Sequence, residues 1–196
     1  MRGNIALAAL VATALTARPG VFTDPRDGER YPLVEIAGMT WLGRNLNHAA
    51  AGSYCLDDKA ESCTAFGRLY PWPLAMRACP TGFHLSTAEE WRRLESHLGM
   101  KAEEIGGLKG RGEGIGDKLK VGGSSGLEFV FSGWRRPDGS FRVGNGSDRA
   151  AALWTASEAQ PDTAWHRDIS SARSVIWRSD VDKPYSLSVR CVRDPR

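Results

Sequence analysis

The sequence predicts an α+β domain of antiparallel strands with one or two main helices, stapled by disulfides. Three observations predict it. The first half holds one clear amphipathic helix, within CPTGFHLSTAEEWRRLESHLG (79–99). The second half is a succession of short strand-like runs separated by turn residues. Four cysteines follow an apolar N-terminal run with the form of an export leader.

That leader is MRGNIALAALVATALTA. One arginine precedes an apolar run from Ile5 to Leu15, and Ala12-Thr13-Ala14 and Ala17 both suit the small-residue cleavage rule. The run is too short to span a bilayer. No cysteine follows it to carry a lipid, and no later segment is long and apolar enough to be transmembrane. Residues 1–17 therefore read as a signal peptide and 22–194 as a single exported domain, extracellular, periplasmic or attached to the cell envelope. Hydrophobic residues at 41% and charged residues at 25% are globular composition. A net charge of +3 is too small for a nucleic-acid binder, which needs a concentrated basic stripe. The basic residues Arg167, Arg173, Arg178, Lys183, Arg190, Arg193 and Arg196 alternate with Asp168, Asp180, Asp182 and Asp194, and read as a solvated mixed face.

The elements follow in order. Asp27-Gly28 is a turn, Tyr31–Ile36 alternates as a strand, and Met39–Leu42 follows as its neighbour after Ala37-Gly38. Cys55 and Cys63 flank the polar loop LDDKAES and would close it, leaving Cys79 to reach Cys191; three pairings are formally open. The spacings lack any CxxC, which argues against zinc. Pro71 and Pro73 suit the start of a short helix ending near Cys79. Pro80-Thr-Gly82 is a turn, with Phe83 and Leu85 pointing inward around His84. Ser86 reads as the cap of the main helix, with Glu89 as its capping-box partner. Trp91, Leu94 and Leu98 form the buried stripe, and Gly99 ends it. Nine glycines between 106 and 126 match neither a phosphate loop nor GxGxxG, and read as a long mobile loop carrying 116–120. The strand-like runs are then 127–134, 140–143, 152–156, 164–169, 174–178 and 187–192.

Several phrases stand in a characteristic order: FTDPRDGERY, TWLGRNLN, FGRLYPW, ACPTGFHLSTAEEW, GDKLK, GWRRPDGSF, LWTASE and SVRCV. Together they resemble the Fibrobacter succinogenes major paralogous domain, a family of exported bacterial modules, over residues 22–194. The resemblance implies a C-type-lectin-like fold of the formylglycine-generating-enzyme subgroup. It also implies a Cys79–Cys191 bridge and core or near-core places for Trp41, Trp91, Trp154 and Trp165. Relatives of that fold include variable proteins of diversity-generating retroelements, which bind ligands near the C-terminal strands. Here Ser86 stands where the family commonly has proline, and Phe83 where it has tryptophan.

Catalysis of the formylglycine-generating type would need two neighbouring cysteines to hold copper near the C-terminus, and this chain has only Cys191 there. No G-x-S-x-G or H-E-x-x-H occurs. Of His48, His84, His97 and His166, only His166 stands beside other candidate contact residues. Gln160-Pro161-Asp162 is similar to the sugar-reading tripeptide of calcium-dependent lectins. With Asp168 and Asp180 it offers Gln160, Asp162, Asp168 and Asp180 as hard-oxygen donors, fewer than the six to eight that calcium takes. Calcium is therefore a candidate, and no other cofactor is expected. Trp165, His166, Arg167, Arg173, Trp177 and Arg178 form the candidate ligand surface, since Trp and Arg supply flat area and forked donors. Alternation along the strand puts Trp165 and Arg167 on one face and His166 and Asp168 on the other. The expectation is a non-catalytic binding module for an extracellular glycan or protein. The rivals are a structural envelope protein and an oxidase relative.

Overall fold

The computed structural model describes residues 20–195. The expected leader at 1–17 lies outside the described residues. Strands β1 (Val21–Thr23), β2 (Arg30–Ile36) and β3 (Met39–Leu42) open the chain. The bridged loop then contains α1 (Ala60–Phe66), and β4 (Leu69–Pro71) leads into α2 (Trp72–Ala75). Strand β5 (Phe83–Leu85) precedes the main helix α3 (Ala88–His97). Next come α4 (Ala102–Ile105), β6 (Lys109–Arg111) and α5 (Ile115–Leu119). Short strands β7 (Trp134–Arg135), β8 (Phe141–Arg142) and β9 (Gly144–Asn145) precede two long ones, β10 (Asp148–Gln160) and β11 (Thr163–Ser170). The chain ends with β12 (Ile176–Asp182), β13 (Ser186–Ser188) and β14 (Cys191–Arg193).

Two sheets result. The smaller has the order β1-β2-β3-β14-β5, so the last strand lies between early ones. The larger runs β6-β12-β11-β10-β13-β7-β8, with β4 on β13 and β9 on β10. Pairing is antiparallel except at β10 and β13, where Leu153 faces Ser188 in parallel. The large sheet divides two cores. On one side Trp41, Trp91, Leu94, Phe129, Leu153, Ile169 and Ile176 pack together. On the other, Tyr31, Tyr70, Trp72, Ala152, Trp154 and Leu187 do so. Trp41, Trp91 and Trp154 are fully buried, whereas Trp165 is half-buried.

Four local readings need correction. The helix cap is Thr87, paired with Glu90 in a capping box; the Ser86 hydroxyl instead accepts from the Trp91 indole at 3.0 Å. Residues 106–126 are not a free loop. Ile115 and Leu119 are core residues, and the Gly116 amide donates to the Ser174 carbonyl at 2.6 Å. Residues 127–134 form no continuous strand, because Leu127 and Phe129 turn inward to pack; isolated bridges join Lys120 to Phe129 and Gly133 to Ala151, and of the run Trp134 alone belongs to a strand. The run 187–192 is two strands in different sheets, broken at Val189-Arg190.

The solvated mixed face is also overturned: Arg167, Arg178 and Arg190 are buried. Arg190 is the clearest case. It donates to the carbonyls of Leu42 (3.0 Å) and Leu127 (2.8 Å) and to Asn45 Oδ1 (3.0 Å). Its guanidinium lies over Phe129 at 4.0 Å. Burial pulls its pKa down to about 9, which still leaves it charged at neutral pH.

Both bridges are present, Cys55–Cys63 and Cys79–Cys191. The second ties the entrance of β5 and α3 to β14 across 112 residues. In the chain-entropy picture that long loop stabilises by about 4–5 kcal/mol and the short one by about 2–3 kcal/mol. The Cys79→Ser/Cys191→Ser double variant is therefore expected to lose about twice the unfolding free energy of Cys55→Ser/Cys63→Ser, by denaturant titration. Equal losses would refute the ordering.

A second clamp closes the same end. His84 Nε2 meets Glu90 Oε1 at 2.8 Å and its Nδ1 meets Asp194 Oδ1 at 2.7 Å. Burial pulls the imidazole pKa down, but the two carboxylates outweigh it and hold the pKa above its usual value. Stability from a raised histidine pKa is fully present below the unfolded value of about 6.5 and disappears as pH rises through the folded one. The stability difference between the native protein and His84→Gln should therefore shrink from pH 6 to pH 9. A difference constant across that range would exclude the clamp.

Candidate functional site

The six candidate contact residues sort by strand face. In the β11–β12 register, Trp165 faces Asp180, Arg167 faces Arg178, His166 faces Ser179 and Asp168 faces Trp177. Arg167 and Arg178 point toward α3 and are buried, so they are not at the surface. Arg167 Nε meets Glu95 Oε1 at 2.6 Å, and Arg178 lies over Trp165 at 3.7 Å. Burial pulls the Arg167 pKa down to about 10, against the opposing pull of Glu95. Arg173 is exposed, over the Trp177 ring at 5.3 Å. Trp177 is half-buried against Gly110, where an added Cβ would lie 2.9 Å from the indole nitrogen. A side chain at 110 would lift the ring off the sheet.

The opposite face of the same strands holds a pocket of about 190 Å³ lined by Trp134, Ala152, His166, Asp168, Val181, Tyr185 and Leu187. It lies at the edge of the core that contains Trp154 and Leu187. His166 Nε2 meets Asp168 Oδ2 at 3.2 Å and the Ser179 hydroxyl at 3.3 Å, and its ring stands edge-on to Trp154. A nucleophile–base relay puts the hydroxyl and the carboxylate on opposite ring nitrogens. Here both share Nε2, so the trio fixes the imidazole and is not built to move a proton along it. The other nitrogen, Nδ1, is buried with no partner. The pocket thus offers a carboxylate and an anchored imidazole together with an indole and a phenol in its lining. Trp134, Ser179 and Tyr185 are not among the candidate site residues of the sequence. They come from β7, β12 and the 183–185 turn, three separate segments that only the tertiary fold brings beside His166. The one signal available was alternation, which puts Ser179 and Val181 on one face of β12.

The four oxygen donors proposed for calcium do not converge. Asp168 lies on the His166 face, Asp180 on the Trp165 face, and Asp162 in the turn beyond the far end of β11. At about 3.3 Å per residue, Asp162 and Asp168 are roughly 20 Å apart along the strand. The Gln160–Asp162 turn already has a cation: Lys183 Nζ donates to Glu158 Oε1 at 2.8 Å and to the Pro161 carbonyl. Among the described residues the cluster with metal-ligand spacing is Asp24, Asp27 and His48. The Asp24 carboxylate is closed off by Arg26, which donates to both its oxygens. Burial pushes the Asp24 pKa up, but Arg26 outweighs it and holds the group below the usual carboxylate value.

All four cysteines of the chain are in bridges, so none is available as a thiolate. Among the described residues no helix is long and apolar enough to cross a membrane. No curated protein and no solved structure matches the chain. One family model does match, that of the Fibrobacter succinogenes major domain, over residues 34–193.

Proposed function

The chain belongs to the Fibrobacter succinogenes major domain family, and from that premise we propose that it is an exported, non-catalytic binding module with a C-type-lectin-like fold. Its ligand is a glycan at the cell exterior, seated on the face of β10, β11 and β12 that carries His166 and Asp168. One observation carries the reading: a polar pair, His166 and Asp168, lines the same pocket as the aromatic residues Trp134 and Tyr185. Sugars present apolar ring faces and a rim of hydroxyls, which aromatic stacking and a few convergent polar groups recognise. Trp177, next to Asp168 in the register, extends the platform.

Three further features support the wider reading. Two disulfides suit an oxidising compartment outside the cytoplasm. The Cys79–Cys191 bridge is the one the lectin-like fold implies. All four cysteines are bridged, which favours a non-catalytic reading over the oxidase chemistry of the related enzymes, since that chemistry uses a copper-binding cysteine pair.

The test is a glycan and polysaccharide array with the oxidised protein and two variants, Trp134→Ala and Asp168→Ala. Loss of stacking and of one charged acceptor should each weaken binding about tenfold or more. Chelator should change nothing. A blank array with the native protein would reject a glycan ligand, and pull-down from envelope fractions would then seek a protein partner. Binding unaltered by both variants would move the site off this face.

A further inference from the structure

The inner face of β6, β11 and β12 carries a concentration of positive charge that the fold leaves unbalanced. Arg167 and Arg178 face each other directly across β11 and β12, and Arg178 in turn faces Lys109 on β6. Arg111 sits two residues along β6, opposite Ile176. Like charges in direct cross-strand pairs repel, and here they do so with little water between them. Arg111, Arg167 and Arg178 are 5%, 0% and 7% exposed. Against the three guanidiniums stands one buried carboxylate, Glu95, which takes Arg111 Nη2 at 2.7 Å and Arg167 Nε at 2.6 Å.

The other charged groups near the cluster do not redress the balance. Glu89 is paired with Arg92 at the surface, Glu104 accepts from the Gly112 amide, and Asp180 is exposed and accepts from Thr163. Four donor atoms of the cluster are buried and unpartnered: Arg111 Nε and Nη1, Arg167 Nη2 and Arg178 Nε. Buried donors normally find acceptors, and a buried guanidinium is costly unless it is paired with charge or fully hydrogen-bonded.

We infer that this cluster is an anion site, taking a tetrahedral oxyanion of the sulfate or phosphate type through the guanidiniums of Arg111, Arg167 and Arg178, with Lys109 at its mouth. Guanidinium forks match the oxygen edges of such groups and form their strongest hydrogen bonds with them. The cluster reaches the surface at Gly106: Arg178 Nη1 donates to the carbonyl of this exposed residue at 3.0 Å, and beyond its chain neighbours the space where a side chain would begin is open. Lys109 is exposed and adopts a positive φ of 64°, a strained backbone for a lysine, at the sheet edge from which an anion would enter. The site lies on the opposite face of the strands from the His166 pocket and stands or falls independently of the glycan reading.

The experiment is a thermal-unfolding titration of the oxidised protein with sodium sulfate and with sodium phosphate, chloride being varied to hold ionic strength constant. Intrinsic tryptophan fluorescence is followed in parallel, because Arg178 covers the ring of Trp165, one of the seven tryptophans that contribute to it. The expected result is a saturating rise in Tm with a matching fluorescence change. The midpoint should shift about tenfold or more to higher anion in Arg178→Gln and about threefold in Lys109→Ala, through loss of charge-assisted hydrogen bonds. Arg77→Ala, an exposed arginine beyond α2 and away from the cluster, should leave it unchanged. If Arg178→Gln does not fold, Lys109→Ala against Arg77→Ala decides the matter. Glucose 6-phosphate and a sulfated monosaccharide form a second arm: tighter binding than the inorganic anion points to an ester on a saccharide, and equal or weaker binding to the free ion. A rise in Tm that never saturates and is identical in all variants is general salt exclusion and would overturn the site.

Discussion

The structure depends most on what Arg190 does at the break between β13 and β14. The chain leaves the large sheet at Ser188 and enters the small one at Cys191, so two residues must cross between layers. Their backbone groups are not orphaned: the Val189 carbonyl accepts from the Leu46 amide and the Arg190 carbonyl from the Ser86 amide. The Arg190 side chain then fills the seam, satisfying the carbonyls of Leu42, at the end of β3, and of Leu127, which lies in no strand. A buried guanidinium without a carboxylate is costly. Three neutral acceptors and the Phe129 face offset that cost.

From that point order spreads through contact. Phe129 stacks on Trp91 at 5.6 Å, and Trp91 meets Trp41 edge-on, which seats α3 against both sheets. Asn45, held by Arg190, donates to the Phe66 carbonyl, and the close approach of that segment leaves room only for glycine at 67. The Cys79–Cys191 bridge sits next to the crossing and fixes the entrance of the helix. With the frame fixed at the crossing and at the helix entrance, β11 and β12 have two unlike faces. One is turned inward with Arg167 on Glu95 and Arg178 over Trp165, and the other opens into the His166 pocket.

Much of the frame was legible in the sequence. The stripe of Trp91, Leu94 and Leu98 and the stop at Gly99 gave α3, and simple alternation gave β2 and β3 almost to the residue. The legible part ended where tertiary partners decided. Ser86 and Thr87 are equally good caps, and only the indole of Trp91, which takes the Ser86 hydroxyl, settles between them. The glycine-rich stretch reads as loop because its anchors, Ile115 and Leu119, are two apolar residues among many small ones. Arginines default to the surface, so Arg167, Arg178 and Arg190 read as solvated, although Arg190 stands between the apolar Val189 and Cys191. Of the site, His166, Asp168 and Trp177 could be listed from sequence. Trp134 and Tyr185 could not, since their positions come from the partners of β13 and from the 183–185 turn.

The most direct measurement is the unfolding free energy of oxidised Arg190→Met, a change that keeps the volume and apolar stem but removes every donor. If the buried guanidinium is what joins the two sheets, three acceptors are left unpaired at about 1 kcal/mol or more each. The variant should then lose about 3 kcal/mol or more, with protection from hydrogen exchange falling in β3 and β14 together. A variant within about 0.5 kcal/mol of the native protein, as for an ordinary surface substitution, would show that packing and the disulfide alone hold the crossing.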